Sequence, residues 1–404
     1  MRIGINCFLL QPEIGGLKQY FTGLIRCLRK QKDHSFVFFY FKENVEELAK
    51  ILPLNSDNSV FLRRQGEIKK HLHLIDVFFC PFGSLYPRPL PLPTVVTLVD
   101  IQEVFLPHFF SAKNLLDRSF HYKGSTLMAD QVITISQFSK ETIMKHHEVP
   151  AEKITVSHLF ADKRFCNPQT ALLELQTDNR IPDSFILYPA NFWWHKNHDA
   201  LFQALVWLKN NEKLSVNVVL TGYEKKNGYP LKQKIEEYGL NEAIYLIGYV
   251  SVEELVYLYS KAKFLVFPSL FEGFGIPLVE AMACGCPVLT ARTSSLPEVG
   301  EDSVWYFDPS SPEELGRKIK IMIEDEKLRK RLIALGVIRA KKFSVEKMAE
   351  KHIDAFQKAM KNYSHKRYLY NKFYIYLQYI QLYVKKIAVS ITSCLEKVGH
   401  KHLK

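Results

Sequence analysis

No apolar run in this 404-residue sequence reaches the roughly 20 residues that a membrane-crossing helix needs, which counts against an integral helical membrane protein. The seven cysteines are odd in number and scattered, Cys284 and Cys286 stand too close for a routine bridge, and no CxxC pair is present. This argues against a disulfide framework, a zinc site or a thiol redox centre, and for a reducing, cytoplasmic setting. The opening MRIGINCFLL has no long apolar stretch or small-residue cleavage site, so it reads as a first strand and not as a secretory signal. No G-x-G-x-x-G spacing follows that strand, which counts against a nicotinamide or flavin enzyme, and no cofactor is expected. Asp-x-Asp is absent too, so no obvious carboxylate pair would hold a divalent cation against a diphosphate. There is no short-period repeat and no low-complexity block.

What is present is a soluble composition, 47% hydrophobic and 24% charged, in a chain long enough for two domains plus extras. The net charge of +12 raises the question of a nucleic-acid partner, and its distribution answers it. Residues 361–404 hold nine Lys or Arg against one acid, Glu396, and so carry +8 of the +12. Charge confined to one terminal segment suits a tail that meets an anionic surface better than a nucleic-acid groove through the body.

Along the first part, apolar strands alternate with helical stretches: RIGIN, FVFFYF, DVFFC, VVTLV, QVITIS and ITVSHL, with helices near Leu17 to Arg29 and Lys113 to Met128. A polar, weakly patterned stretch, CNPQTALLELQTDNRIPDS, reads as a linker. The alternation then restarts with FILYPA, VNVVLTG, IYLIGYV, KFLVFPS and CPVLTA. This is the pattern of parallel sheets covered on both faces. The expected organisation is α/β, with two Rossmann-like doubly wound domains at residues 1–168 and 182–345, then C-terminal helices and a basic aromatic tail at 346–404.

The chemistry concentrates in FPSLFEGFGIPLVEAMACGCPVLT. Glu272 and Glu280 have seven residues between them, among them Gly273, Gly275 and Pro277. FLVF at 264–267 reads as a buried central strand, the glycines permit a tight turn and close ligand approach, and Pro277 suits the first turn of a helix. Gly285 supplies a stop. Such a turn lies at the carboxyl edge of a sheet, where α/β proteins bind ligands. In WWHKNH a cation, Lys196, occupies another strand-to-helix turn, where it could neutralise a phosphate or simply be solvated. His195 and His198 have no matching ligand cluster and read as capping or packing residues, and Trp193 and Trp194 as packing. Gly15 and Gly16, before a helix, could bring backbone amides to an anion or serve geometry alone.

These residues resemble glycosyltransferase family 4, the retaining group with the two-domain GT-B fold. The carriers are FPSLFEGFGIPLVEAMACGCPVLTARTSSLPEVG, YPANFWWHKNHDAL, VITISQFSKETI with VPAEKITV, and the amino-terminal GGL turn, in matching order from residue 1 to about 360. The resemblance implies two domains facing a cleft that holds a nucleotide-sugar, GDP- or UDP-hexose, bound mostly by the second domain. Glu280 would accept hydrogen bonds from the ribose hydroxyls, and Glu272 would bind the transferred sugar. The backbone from Phe274 through Gly275, Ile276, Pro277 and Leu278 would meet the diphosphate with Lys196, and Gly248, Tyr249 and Val250 would hold the base. Gly16 and Asn191 complete the donor set, and no metal is needed. The sequence departs from the family where Val99-Asp100 stands for His-Asp, where Asn191 replaces an Arg, and where SHL replaces a Pro-Asn-Gly turn. Asp100 is then a donor or acceptor contact, or a strand-end cap.

The expected activity is retaining transfer of a hexose, mannose or glucose favoured, to a glycan or lipid-linked acceptor in polysaccharide synthesis. Competing readings are glycogen-type or sucrose-type transfer and an inactive, glycan-binding or regulatory member; a nucleic-acid binder is the weakest. The tail holds Tyr376, Tyr379, Ile380, Tyr383 and Ile387 near one helical face among lysines. It points either to peripheral attachment on the anionic inner face of a membrane or to packing on protein.

Overall fold

The computed structural model describes residues 1–11, 16–55, 58–167, 181–223 and 228–399. Most of the expected linker and Gly15 lie outside the described residues. The chain forms two compact units, one from Met1–Ser157 with Val345–Lys404 and one from His158–Ser344.

The first unit is built on seven strands, β1 (Arg2–Asn6), β2 (Ser35–Tyr40), β3 (Ser59–Phe61), β4 (Val77–Cys80), β5 (Thr94–Thr97), β6 (Gln131–Thr134) and β7 (Ile154–Val156). Their order is β3-β2-β1-β4-β5-β6-β7, and every neighbouring pair is parallel. Strands β4, β5 and β6 are buried at every residue, which is why none of them alternates apolar with polar: β4 is wholly apolar, and β5 and β6 flank a Val-Val or Val-Ile centre with buried Thr or Gln. Helix α1 (Gly16–Leu28) buries Tyr20, Phe21, Leu24, Ile25 and Leu28, one stripe at helical spacing. After β6, the Ser136 side chain accepts from the Ser139 amide and starts α2 (Gln137–His147). Strand β3 was not expected: it has three residues, and its Phe61 is half exposed at the sheet edge.

The second unit has six parallel strands, β8 (Ile186–Pro189), β9 (Val218–Thr221), β10 (Ile244–Gly248), β11 (Leu265–Phe267), β12 (Val288–Ala291) and β13 (Trp305–Phe307). Their order is β10-β9-β8-β11-β12-β13, so the winding reverses between β8 and β11. Helices α3 (His198–Trp207), α4 (Val252–Lys261) and α5 (Ile276–Ala283) follow β8, β10 and β11, and α6 (Pro312–Glu324) and α7 (Glu326–Ala340) follow the sheet. Helix α5 ends as Gly285 implied: Gly285 takes φ +72°, its N–H donates to Met282 O at 3.2 Å, and the Cys286 N–H donates to Ala281 O at 2.8 Å. The short edge strand β13 is the second element without a sequence signal.

From Val345 the chain returns to the first unit. Helix α8 (Val345–Asn362) packs on α1, β5 and β6 through Met348, Ala349, His352, Ala355, Phe356 and Ala359. Its His352 is fully buried, with Nε2 2.8 Å from Tyr20 Oη, which lies 2.9 Å from Thr97 Oγ1. Helix α9 (His365–Gly399) lays one face on the same unit. Arg367 pairs with Asp130, Asn371 Nδ2 donates to Met128 O at 3.5 Å, and Ile375 joins the core.

Candidate functional site

The winding reverses between β8 and β11, and in open α/β sheets the carboxyl ends of the strands at such a reversal are where ligands bind. The loop after β8 is fixed by its backbone. Residues Trp194–Lys196 make one tight turn, and Asn197 takes a left-handed φ of +58°, which its short polar side chain tolerates. Asn197 Nδ2 then donates to Pro268 O and Pro309 O, both at 3.1 Å. The Tyr188 hydroxyl donates to Lys196 O at 2.5 Å, and the Leu270 N–H donates to His195 O at 2.8 Å, tying this loop to the one after β11. Lys196 is thereby aimed at Glu272: Nζ lies 2.5 Å from Oε1, with side chains 18% and 13% exposed. Glu272 is held by two serines missing from the sequence reading. Its N–H donates to Ser294 Oγ at 2.9 Å, and Ser295 Oγ donates to its carbonyl at 2.8 Å. Ser294 takes φ +47°, so this support loop is itself strained into place.

His198 is a packing residue. It is buried among Tyr188, Phe192 and Tyr229, and burial, with Lys196 adding to it, pushes its pKa down to about 3. His195 is pushed well below its usual value by the same two causes. Trp193 and Trp194 pack less than expected, at 36% and 43% exposed, with edge-on contacts to His195 and Tyr229. Among the described residues no group of three or more His, Cys, Asp or Glu could hold a metal ion.

Gly275 forms the pivot between Glu272 and α5. Its φ is +95°, which favours glycine, and a Cβ there would stand 2.6 Å from Leu296 Cδ2, so any side chain would also have to displace that leucine. The helix starts only at Ile276, four residues before Glu280. Helix therefore accounts for roughly 6 Å of the distance between the glutamates, and the turn supplies the rest. The five residues expected to present amides also differ among themselves. Pro277 has no N–H, and that of Leu278 donates to Gly275 O at 3.0 Å. The amides of Phe274, Gly275 and Ile276 find no partner among the described residues. Phe274's ring is buried against Phe343, 5.4 Å away and edge-on, which anchors the turn from below. Glu280 is only 5% exposed, and its Oε2 accepts from the Tyr259 hydroxyl at 3.3 Å, a contact from α4 that the sequence did not signal.

Further along the same sheet edge, Asn191 Oδ1 accepts from the Tyr223 N–H at 3.0 Å, and the Gly222 N–H donates to Gly248 O at 2.9 Å. Gly248 takes φ +77° where the β9–β10 register shifts. Tyr249, 66% exposed, stacks on Tyr223 at 4.5 Å and 19°. Val250 precedes Ser251, whose side chain and that of Glu254 form a reciprocal cap on α4. The first unit carries the other two candidates. Gly16 begins α1 and is exposed. Asp100, half-buried after β5, accepts from the Gln102 N–H at 3.1 Å, the capping contact of a strand end. Nearby Glu103 is buried and paired with Arg118 at 3.3 Å; burial raises its pKa and the Asp100 charge adds to the rise.

A sequence-family model described as glycosyl transferases group 1 matches residues 175–336. The O-antigen chain mannosyltransferase B of Escherichia coli is 30% identical over 267 residues, covering 65% of this chain and 70% of that protein. The chain belongs to the group 1 glycosyltransferases. O-antigen chain mannosyltransferase RfbU of Salmonella typhimurium is 29% identical over 57% of this chain and 61% of its own length. The serotype-specific mannosyltransferase WbdA of Escherichia coli is also 29% identical, but the chain spans only 29% of its length. Among solved structures, Anabaena HepE in complex with UDP-glucose superposes with a TM-score of 0.69 at 18% identity, over 88% of this chain and 98% of that one. A glycosyltransferase from Rickettsia africae does so with a TM-score of 0.67 at 18% identity, over 90% and 99%. The fold of this group 1 glycosyltransferase is thus α/β of the GT-B type, with two parallel sheets and a helical C-terminal region.

Proposed function

We propose that the protein transfers a hexose from a nucleotide-sugar, UDP- or GDP-linked, to a glycan or lipid-linked acceptor in polysaccharide synthesis, retaining the anomeric configuration and using no metal ion. The observation that carries this reading is the Lys196–Glu272 pair at the sheet reversal, set beside the amides of Phe274, Gly275 and Ile276, for which no partner is found among the described residues. From β10 to β11 is three strand spacings, roughly 14 Å, enough to lay a sugar nucleotide along the edge. Gly248, Tyr249 and Val250 with Asn191 would take the base end, and Glu280, oriented by Tyr259, the ribose. Amides of Phe274, Gly275 and Ile276 with Lys196 would take the diphosphate, where they oppose the charge that develops as the leaving group departs. A diphosphate offers Lys196 a second anionic partner and leaves Glu272 to accept from sugar hydroxyls.

The acceptor oxygen bonds to the anomeric carbon as its bond to phosphate oxygen breaks, and the acceptor proton passes to the leaving phosphate, so no separate general base is required. Asp100 and Gly16 are assigned to contacts with donor or acceptor from the first unit. Relatives named for mannose transfer in O-antigen synthesis, and a neighbour bound to UDP-glucose, support hexose as the sugar class. A peripheral place on an anionic membrane surface belongs to the same reading, since the basic balance of the chain sits in residues 361–404.

NMR-followed transfer from UDP- and GDP-hexoses in EDTA tests the whole reading. Product with the donor's anomeric configuration is expected. An inverted product, or activity lost in chelator and restored by Mn²⁺ or Mg²⁺, overturns the retaining or the metal-free part.

A further inference from the structure

Among the described residues, helix α9 has two apolar faces, one of which is used by the fold. Along the other, Leu369, Phe373, Tyr376, Ile380, Tyr383 and Ile387 are 52%, 66%, 64%, 62%, 68% and 44% exposed. Their spacings of four and three residues place them on one line about 27 Å long. Tyr370, Leu377 and Val384, also exposed, widen the line to three apolar positions in every seven. An exposed patch of this extent marks an interaction surface.

Two occupants fit such a stripe, a bilayer or a second copy of the helix, and charge separates them. A two-stranded seam uses two apolar positions in seven, flanked by acidic and basic residues that pair across it. Here residues 361–387 contain Lys361, Lys366, Arg367, Lys372, Lys385 and Lys386 and no acid. A second copy would set lysine against lysine, whereas anionic headgroups would complement them. Tyrosine-rich apolar surface also suits the headgroup region, where the ring is buried and the hydroxyl stays wet. No helix among the described residues is long and apolar enough to cross a membrane.

We infer that α9 binds in the plane of an anionic bilayer, its exposed stripe sunk among the headgroups and its other face holding the first unit to that surface. This deepens the peripheral placement proposed above and stands apart from the transfer chemistry. Residues Arg367, Asn371 and Ile375 grip the first unit, so the stripe is presented on a braced helix.

The test is flotation of the full chain with phosphatidylcholine vesicles with and without phosphatidylglycerol. Two double variants accompany it, Phe373→Glu with Ile380→Glu on the stripe and Lys372→Glu with Lys385→Glu beside it. Unfolding midpoints and transfer to a water-soluble acceptor are measured in parallel, so that failure of anchoring is distinguishable from failure of the enzyme. The expected result is binding that needs the anionic lipid, weakens with salt, and falls about tenfold or more in both folded variants. Three results overturn the inference: no flotation of the unaltered chain, equal binding with and without phosphatidylglycerol, or binding unchanged in the stripe variant. A dimer that the stripe variant abolishes, without vesicle binding, would assign the stripe to a second copy instead.

Discussion

Lys196 and Glu272 leave neighbouring strands on opposite sides of the sheet reversal, and their side chains meet at 2.5 Å. Neither loop could hold its charged group alone. The Lys196 loop is pinned by Asn197 to Pro268 and Pro309, and the Glu272 loop by Ser294 and Ser295. The pair is therefore a product of four backbone segments, and it can be dissected.

Glu272→Gln keeps the size of the side chain and removes its charge. Transfer should slow by roughly ten- to hundredfold, the worth of a hydrogen bond to a charged group, with little change in affinity for the free nucleotide. Glu280→Gln should show the reverse emphasis, weakening nucleotide binding in calorimetry more than it slows turnover at saturation. If both variants match the parent in affinity and rate, the division of roles between the two glutamates is wrong.

Gly275→Ala places a Cβ at φ +95° and within 2.6 Å of Leu296 Cδ2. A loss of about 1–3 kcal/mol in the urea unfolding of the second unit is expected, since alanine is strained at positive φ and the leucine must move. Transfer should fall further than stability alone explains, because the same turn presents the Phe274, Gly275 and Ile276 amides. Pairing the change with Leu296→Ala should recover stability before it recovers rate.

Burial lowers the pKa of His352 to about 4, against which its bond to Met348 O works, and burial brings His147 to about 4 as well. Between that value and the unfolded value near 6.5, the unfolded chain binds protons at these rings that the folded chain does not. Stability therefore rises with pH through this window and is lost as pH falls through it, by up to roughly 3 kcal/mol for His352. In His352→Gln the unfolding midpoint of the first unit should change less between about pH 7 and about pH 5 than in the parent. An unaltered pH slope would remove His352 from the account.

The parallel sheets were legible because β4, β5, β6 and β11 are buried at every residue: β4 and β11 are wholly apolar, and β5 and β6 hold an apolar pair at their centre with no polar alternation. The turn around Gly275 and the stop at Gly285 were legible for a local reason, since each needs a residue without a Cβ. Strands β3 and β13 were not, because each has three residues of which at most one is buried, whereas the equally short edge strand β7 buries Ile154 and Thr155. The same limit hid Tyr259 on Glu280 and Ser294 under Glu272. Those contacts join residues 21 and 22 positions apart through the fold, and nothing in the local pattern around either partner records them.

The first unit is assembled from both ends of the chain, with residues His158–Ser344 inserted between its two parts. On a ribosome its seven strands emerge first, yet the face that α8 covers stays bare until the whole second unit has been made. The inserted unit is complete in sequence before that happens and can fold while its host is still open. Late in translation, the nascent chain would thus hold a finished second unit tethered to an unfinished first one, and a premature stop near residue 344 would leave bare the apolar surface that Met348, Ala355 and Phe356 cover.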